Sequence, residues 1–322
     1  MELRQLRYFT CIARCGSFTK AAAEVFIAQS ALSQQLALLE EELGATLFHR
    51  SRRGVELTEA GRTFHAHAVA ILRQVEDAKT SVHASETDPA GKVVFGIPHS
   101  ASNALALPLL MAVRRELPHV ELELTEELTG NLVSQMRAGQ INLAVLFDDG
   151  SLDEFNTIPL IEEELVLIGL PELHRLHHQV QPMNLDSALR LPIILPAPPH
   201  GVRPIIERAA REHGLPAPNV VADISSISIL RTTLLAGLGF TLLPPMPLMQ
   251  DVLSGTLEIA SLADSPLESP LTRRLMLCSS RHIPLSAAAQ AVSRLTHRLT
   301  ADLAQSGQWK GASDQSAHGN PA

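Results

Sequence analysis

The side chains of this chain best suited to chemistry are short, polar and uncharged, and they are grouped. Successive helical residues rotate by about 100°, so in the stretch QSALSQQLALLEEEL, Ser30, Gln34, Ala37 and Glu41 share one face, with Ser33 beside it. Leu32, Leu36, Leu39 and Leu43 recur at spacings of four, three and four, which makes the opposite stripe apolar. Gln can bond bidentately to adenine, and Ser can meet either base or phosphate. A helix that reads DNA enters the major groove by its N-terminal part. Glu40, Glu41 and Glu42 then sit on the half that leaves the groove. An amphipathic helix in an ordinary core would show the same stripe, so the neighbouring elements decide between the two.

Those neighbours favour a nucleic-acid surface. Ser17 is a good N-cap, and Phe18, Ala21, Ala22 and Val25 follow it at i, i+3, i+4 and i+7, which predicts a first short helix before a break at Phe26–Ala28. After the second helix, LFHRSRRGVEL from Leu47 to Leu57 reads as a β-hairpin with Arg50, Arg52 and Arg53 at its tip and Gly54 making the turn. Arginines so placed suit phosphates or the minor groove. With Ser17, Thr19 and Gln29, they complete a set of candidate DNA contacts that includes Ser30, Ser33 and Gln34. The ordered string GSFTKAAAEVFIAQSALSQQLALLEEELGATLFHRSRRGVELTEAG closely resembles the DNA-binding domain of the LysR-type transcriptional regulators. Within that family, IAQSALSQQLALLE is most similar to the nitrogen assimilation control branch.

Composition excludes several other classes. The chain has 322 residues, 45% hydrophobic and 19% charged, which describes a folded chain with room for two or three domains. It contains no apolar run of about 18 residues, so no membrane span is expected. Its first residues alternate in charge without an apolar stretch, so no secretion signal is expected and the cytoplasm is the expected location. The net charge of −8 conceals a division: residues 1–63 carry eight Lys/Arg against seven acids, a net of +1, which leaves −9 for the remainder. Phosphate contact depends on such local placement.

Catalytic signatures are missing. The sequence has no Walker loop, no G-x-S-x-G and no H-E-x-x-H. Cys11 and Cys15 are one helical turn apart, but no second ligand pair follows at a zinc spacing, so they read as two small, partly buried residues. His174, His177 and His178 read as a solvated loop. No enzyme activity, metal or cofactor is therefore expected. A solute-binding protein or a small-molecule enzyme on the same scaffold is the alternative, and it would need an export signal or a catalytic motif.

Beyond the hairpin, Thr58 caps a long helix reaching about Glu86, in which Phe64, Ala68, Ile71, Val75, Ala78 and Val82 form a heptad seam for pairing with a second copy. Thr87 to Gly91 breaks it. This predicts a winged helix-turn-helix over 1–58, a linker helix and hinge over 59–91, and a domain of alternating strands and helices over 92–303. After Ala304 a polar Gly/Ser-rich tail is expected to be disordered. The resemblance, also carried by LLAGLGFTLLP, implies that the third region is an α/β fold of two Rossmann-like lobes of the periplasmic-binding-protein type, at roughly 92–162 with 268–303 and at 163–267.

Ligands of such folds bind at strand ends near helix N-termini. The loops there hold Ser100, Ala101, Ser102, Asn103, Thr129, Gly130, Phe147, Gly201, Arg203 and Ser226, a set suited to a small anion. The resemblance also implies double-stranded DNA as partner, dimers and tetramers of the chain itself, and contact with RNA polymerase.

Overall fold

The computed structural model describes residues 1–51, 54–83, 88–176, 183–197, 201–262 and 270–314. They fall into two compact units, the first running from the N-terminus to His83 and taking in Arg137–Gln140, the second formed by the rest.

In the first unit α1 (Leu3–Cys15) ends at Gly16, whose left-handed backbone (φ 59) turns the chain into α2 (Phe18–Glu24). Ser17 caps α2 by accepting the Lys20 N–H, as its position predicts. The connection to α3 (Gln29–Leu43) carries Phe26 with positive φ (55°) and its ring 93% exposed, a costly conformation for an aromatic residue. The leucine stripe packs inward: Leu32, Leu36 and Leu39 join Leu6, Phe9, Ile12, Phe18 and Ala21 in one core. At 39% exposure, Leu43 lies at its edge.

The hairpin strands β1 (Phe48–Ser51) and β2 (Gly54–Leu57) pair antiparallel, with Ser51 opposite Gly54. The connection is thus Arg52-Arg53, and those residues and the Arg50 side chain lie outside the described residues. Gly54, with a positive φ of 130°, also serves a close approach. A β-carbon there would stand 2.9 Å from the Gly16 carbonyl oxygen, which accepts the Val55 N–H at 3.0 Å. The wing is therefore pinned to the start of α2.

Helix α4 (Glu59–His83) begins where predicted, because the Thr58 hydroxyl accepts the Gly61 N–H (2.8 Å) and donates to the Thr46 carbonyl (2.7 Å). Gly61 lets α4 lie on the Leu47 backbone, which any β-carbon would strike. The first half of the expected seam is used within the chain: Ala68 is buried in the head core, Phe64 and Ile71 pack against it, and the Phe64 ring lies 5.0 Å from that of Phe9. Val75 is half-buried and Ala78 exposed, while the Val82 side chain lies outside the described residues.

The second unit builds its first lobe on β3 (Gly91–Pro98), α5 (His99–Glu116), β4 (Val120–Glu127), α6 (Thr129–Arg137) and β5 (Leu143–Phe147). Strand β3 runs parallel to both β4 and β5. Strand β6 (Phe155–Glu164) then leads into β7 (Val166–Gly169) of the second lobe. That lobe continues through α7 (Pro171–Leu176), α8 (Leu185–Arg190), β8 (Ile193–Leu195), α9 (Arg203–Glu212), β9 (Val220–Asp223), α10 (Ile227–Leu235), β10 (Thr241–Leu243), α11 (Met249–Leu253) and β11 (Glu258–Ala260). Strand β12 (Thr272–Ser280) returns to the first lobe, antiparallel to β5 and β6, so the sheet is mixed rather than wholly parallel. The two crossings are tied where the Leu165 N–H donates to the Leu271 carbonyl (2.8 Å). Each lobe has its own apolar core.

The tail departs from expectation. Helix α12 (Ala287–Gln305) is followed by Trp309, which is 1% exposed, and by β13 (Ala312–Asp314), which pairs with β6. Burial of that indole, with its N–H bonded to Glu163 (2.8 Å), orders a polar stretch whose composition alone would not. Residues 315–322 lie outside the described residues.

Candidate DNA-reading face and interlobe cleft

On α3 the leucine stripe turns inward, which leaves Gln29, Ser30 and Gln34 in solvent and Ser33 half-exposed. The Gln29 amide touches the Ser33 hydroxyl at 3.4 Å, a weak and breakable contact. Thr19 is exposed near the start of α2, and Ser17 is half-buried by its capping role. On α3 the polar groups therefore stay available. One acid has a structural task, since the Glu40 carboxylate accepts the Leu47 N–H at 2.6 Å and fixes the turn into the wing.

In the second unit a cleft enclosing about 50 Å³ opens between the lobes. Ser100, Thr129, Phe147 and Gly201 line it, and so do His99, Val202, Ser225, Ile227 and Arg273. Helices α5, α6 and α10 begin there, which directs free backbone N–H groups and partial positive charge toward the opening. A volume of this size holds a few waters or a compact ligand.

Several expected residues do not line the cleft. Ala101 is fully buried in the first-lobe core. The Ser102 hydroxyl is engaged by Glu126 (2.6 Å) and the His99 carbonyl (3.0 Å). Asn103 donates to the Pro247 carbonyl at 3.4 Å, beside a separate surface cavity. Gly130 receives the Ser134 hydroxyl on its carbonyl, and Ser226 caps α10. Arg203, expected as the counter-charge, is held by Glu207 (2.8 Å) and Asp223. The Glu207 contact, the larger cause, raises its pKa above the ordinary value.

The cation of the cleft is Arg273, on the returning strand β12, at 3% exposure. Its Nε donates to Glu163 Oε2 (2.7 Å), and its guanidinium lies over the Phe147 ring, 4.1 Å from the centroid. Nη2 is 2.6 Å from the same Glu163 oxygen but badly aligned for a hydrogen bond, so it is a buried donor with no acceptor among the described residues. Burial pulls the guanidinium pKa down, and Glu163 opposes that pull. The alternation of Leu271, Arg273, Leu275 and Leu277 on one strand face is the sequence signal that could have found it.

A winged helix-turn-helix with an exposed polar face on its second helix, in one chain with a two-lobed α/β fold, defines a DNA-binding regulator rather than an enzyme. Two family models divide the chain accordingly: the bacterial regulatory helix-turn-helix protein model of the lysR family matches residues 3–62, and the LysR substrate binding domain model matches residues 86–300. The chain belongs to the LysR family of transcriptional regulators.

It is 37% identical to the nitrogen assimilation regulatory protein nac of Klebsiella aerogenes, over 76% of this chain and 78% of that one. To the protein of the same name from Escherichia coli K12 it is 31% identical, over 96% and 99%. Among solved structures, full-length CbnR complexed with its target DNA covers 94% of this chain and 100% of its own, at 18% identity and a TM-score of 0.67, which shows the shared fold. No helix among the described residues is long and apolar enough to cross a membrane.

Proposed function

We propose that the cleft takes a small anionic metabolite and that its binding changes how the head engages operator DNA. The observation that carries this is Arg273, a buried cation among the residues that line a cavity ringed by helix N-termini. A carboxylate there would pair with the charge of Arg273, and Ser100 and Thr129, which line the same cavity, carry hydroxyls that could accompany it. The ligand must favour one lobe arrangement for any signal to pass.

On the head, Gln34 and Ser33 read bases, while Gln29, Ser30, Ser17 and Thr19 extend the polar contact. Arg50, Arg52 and Arg53 hold the backbone or the minor groove. Two copies pair through the part of α4 left over by the head core, around Val75 and Ala78. Tetramers, contact with RNA polymerase and a cytoplasmic location belong to the same reading.

Calorimetry of the full chain against a panel of mono- and dicarboxylates tests the effector. Thr129→Val and Ser100→Ala should each weaken a binder about tenfold, the worth of one hydrogen bond to a charged group. Ser102→Ala should leave it unchanged, because that hydroxyl is already engaged. A binder indifferent to Thr129 and Ser100 places the site elsewhere, and the lack of any binder favours an inducer-independent regulator.

A further inference from the structure

We propose that Cys11, Cys15 and Glu24 form a binding site for a thiophilic divalent cation, zinc by preference, that staples α1 to α2 in the DNA-binding head. Cys11 and Cys15 lie one turn apart on α1, with sulfurs 4.0 Å from each other. Glu24, at the end of α2, brings its Oε2 to 3.3 Å from the Cys15 sulfur. One ligand atom from each of the three residues falls within 4.8 Å of the other two.

The spacing fits tetrahedral coordination. With Zn–S near about 2.3 Å and Zn–O near about 2.1 Å, two sulfurs stand about 3.8 Å apart and a sulfur and an oxygen about 3.6 Å. Small side-chain adjustments reach both values, and water supplies the fourth ligand. A disulfide fits poorly by comparison. Side chains four apart on a helix have β-carbons about 5–6 Å apart, whereas a disulfide requires about 3.5–4.5 Å.

The electrostatics also close. Both thiols release their protons to solvent when the cation binds, so two thiolates, one carboxylate and the dication leave a single net negative charge. Arg14, which already donates to the other Glu24 oxygen and lies 3.9 Å from the Cys11 sulfur, offsets that charge and orients the carboxylate from outside the coordination shell. Burial pushes the free Cys11 thiol up to about 11, so the metal competes with a firmly held proton. The staple stands beside Gly16, whose carbonyl holds the wing, and so it stiffens the part of the head that presents the reading helix.

The test titrates reduced full-length protein with Cd(II), whose thiolate charge-transfer absorption reports sulfur ligands, and then with Zn(II) against a chromophoric chelator. The expected result is one ion per chain, with affinity rising up to about 100-fold per pH unit as two protons are displaced. Cys15 is only partly buried, so Cys15→Ser keeps the head core and should lose at least about 100-fold in affinity, and Glu24→Gln about tenfold. Circular dichroism confirms that each variant is folded, and Cys278→Ala should bind as the parent does. The proposal is overturned if the folded, reduced parent takes up no stoichiometric metal, if uptake survives Cys15→Ser or follows Cys278, or if the two thiols only oxidise to a disulfide.

Discussion

On the reading helix, Gln34 and Ser30 stand in solvent without a side-chain partner among the described residues, whereas in the cleft Arg273 is 3% exposed and already paired with Glu163. The ligands proposed for the two regions differ in kind. DNA arrives as a large, hydrated polyanion, and its affinity comes largely from released counterions. Groups proposed to read it can therefore remain solvated until contact. The small anion proposed for the cleft would bring too few atoms to order its own site, and there Glu163, Trp309 and the Phe147 ring already hold the charge in place.

The contrast is sharpest at the buried pair. Glu163→Gln leaves Arg273 uncompensated, and removing one partner of a buried ion pair costs about 3–5 kcal/mol. Urea denaturation should show this as a lower midpoint for the second unit. Adding Arg273→Met removes the stranded charge and should recover most of the stability while abolishing any anion binding. If the double variant is no more stable than Glu163→Gln alone, the loss does not come from the uncompensated guanidinium.

The linker helix offers an intermediate case, a surface open in one copy that would be covered in a pair. Val75→Asp with Ala78→Asp would bury like charges at the shared seam, and sedimentation should show loss of the dimer together with loss of tight operator binding. Neither residue belongs to the head core, so the fold itself should survive. A double variant that stays dimeric with full operator affinity moves the interface elsewhere.

The smallest effect concerns His65, half-buried about 6.0 Å from the Phe9 ring. Burial lowers its pKa below the ordinary 6.5. The unfolded chain then binds a proton that the folded head resists, so this contribution is intact above pH 6.5 and is lost as the pH falls below it. His65→Gln should flatten the acid limb of the head's stability curve by a small amount, and an unchanged slope would assign that limb to other groups.

The same contrast explains what the sequence revealed. The reading helix was legible because a leucine stripe and a polar face have a period that survives in one dimension, and α3 covers nearly the stretch it predicts. Most strands of the second unit were legible as apolar runs, but β6 was not, because Pro159 and the acids Glu162 to Glu164 mask a crossing strand, and neither were the three-residue strands β11 and β13. Helix α12 and the ordered tail after it were not legible, although the single tryptophan of the chain marks the place where the tail docks. Arg203 looked like the counter-charge because it lies in a cleft loop, yet Glu207 one turn along its own helix captures it. Arg273 comes to the cleft from a strand more than a hundred residues away from Phe147, through an antiparallel register that local spacing does not encode.

Base reading by the head through the free polar face of α3, as proposed, is probed by Gln34→Ala. Once bound DNA has been mapped genome-wide, the parent and the variant are titrated side by side against a mapped site and a random duplex of equal length, over a range of salt. The predicted result is a loss of about 1–3 kcal/mol on the mapped site with little change on random DNA and an unaltered salt slope. An equal loss on both duplexes would contradict base reading by Gln34 and reduce α3 to a backbone contact.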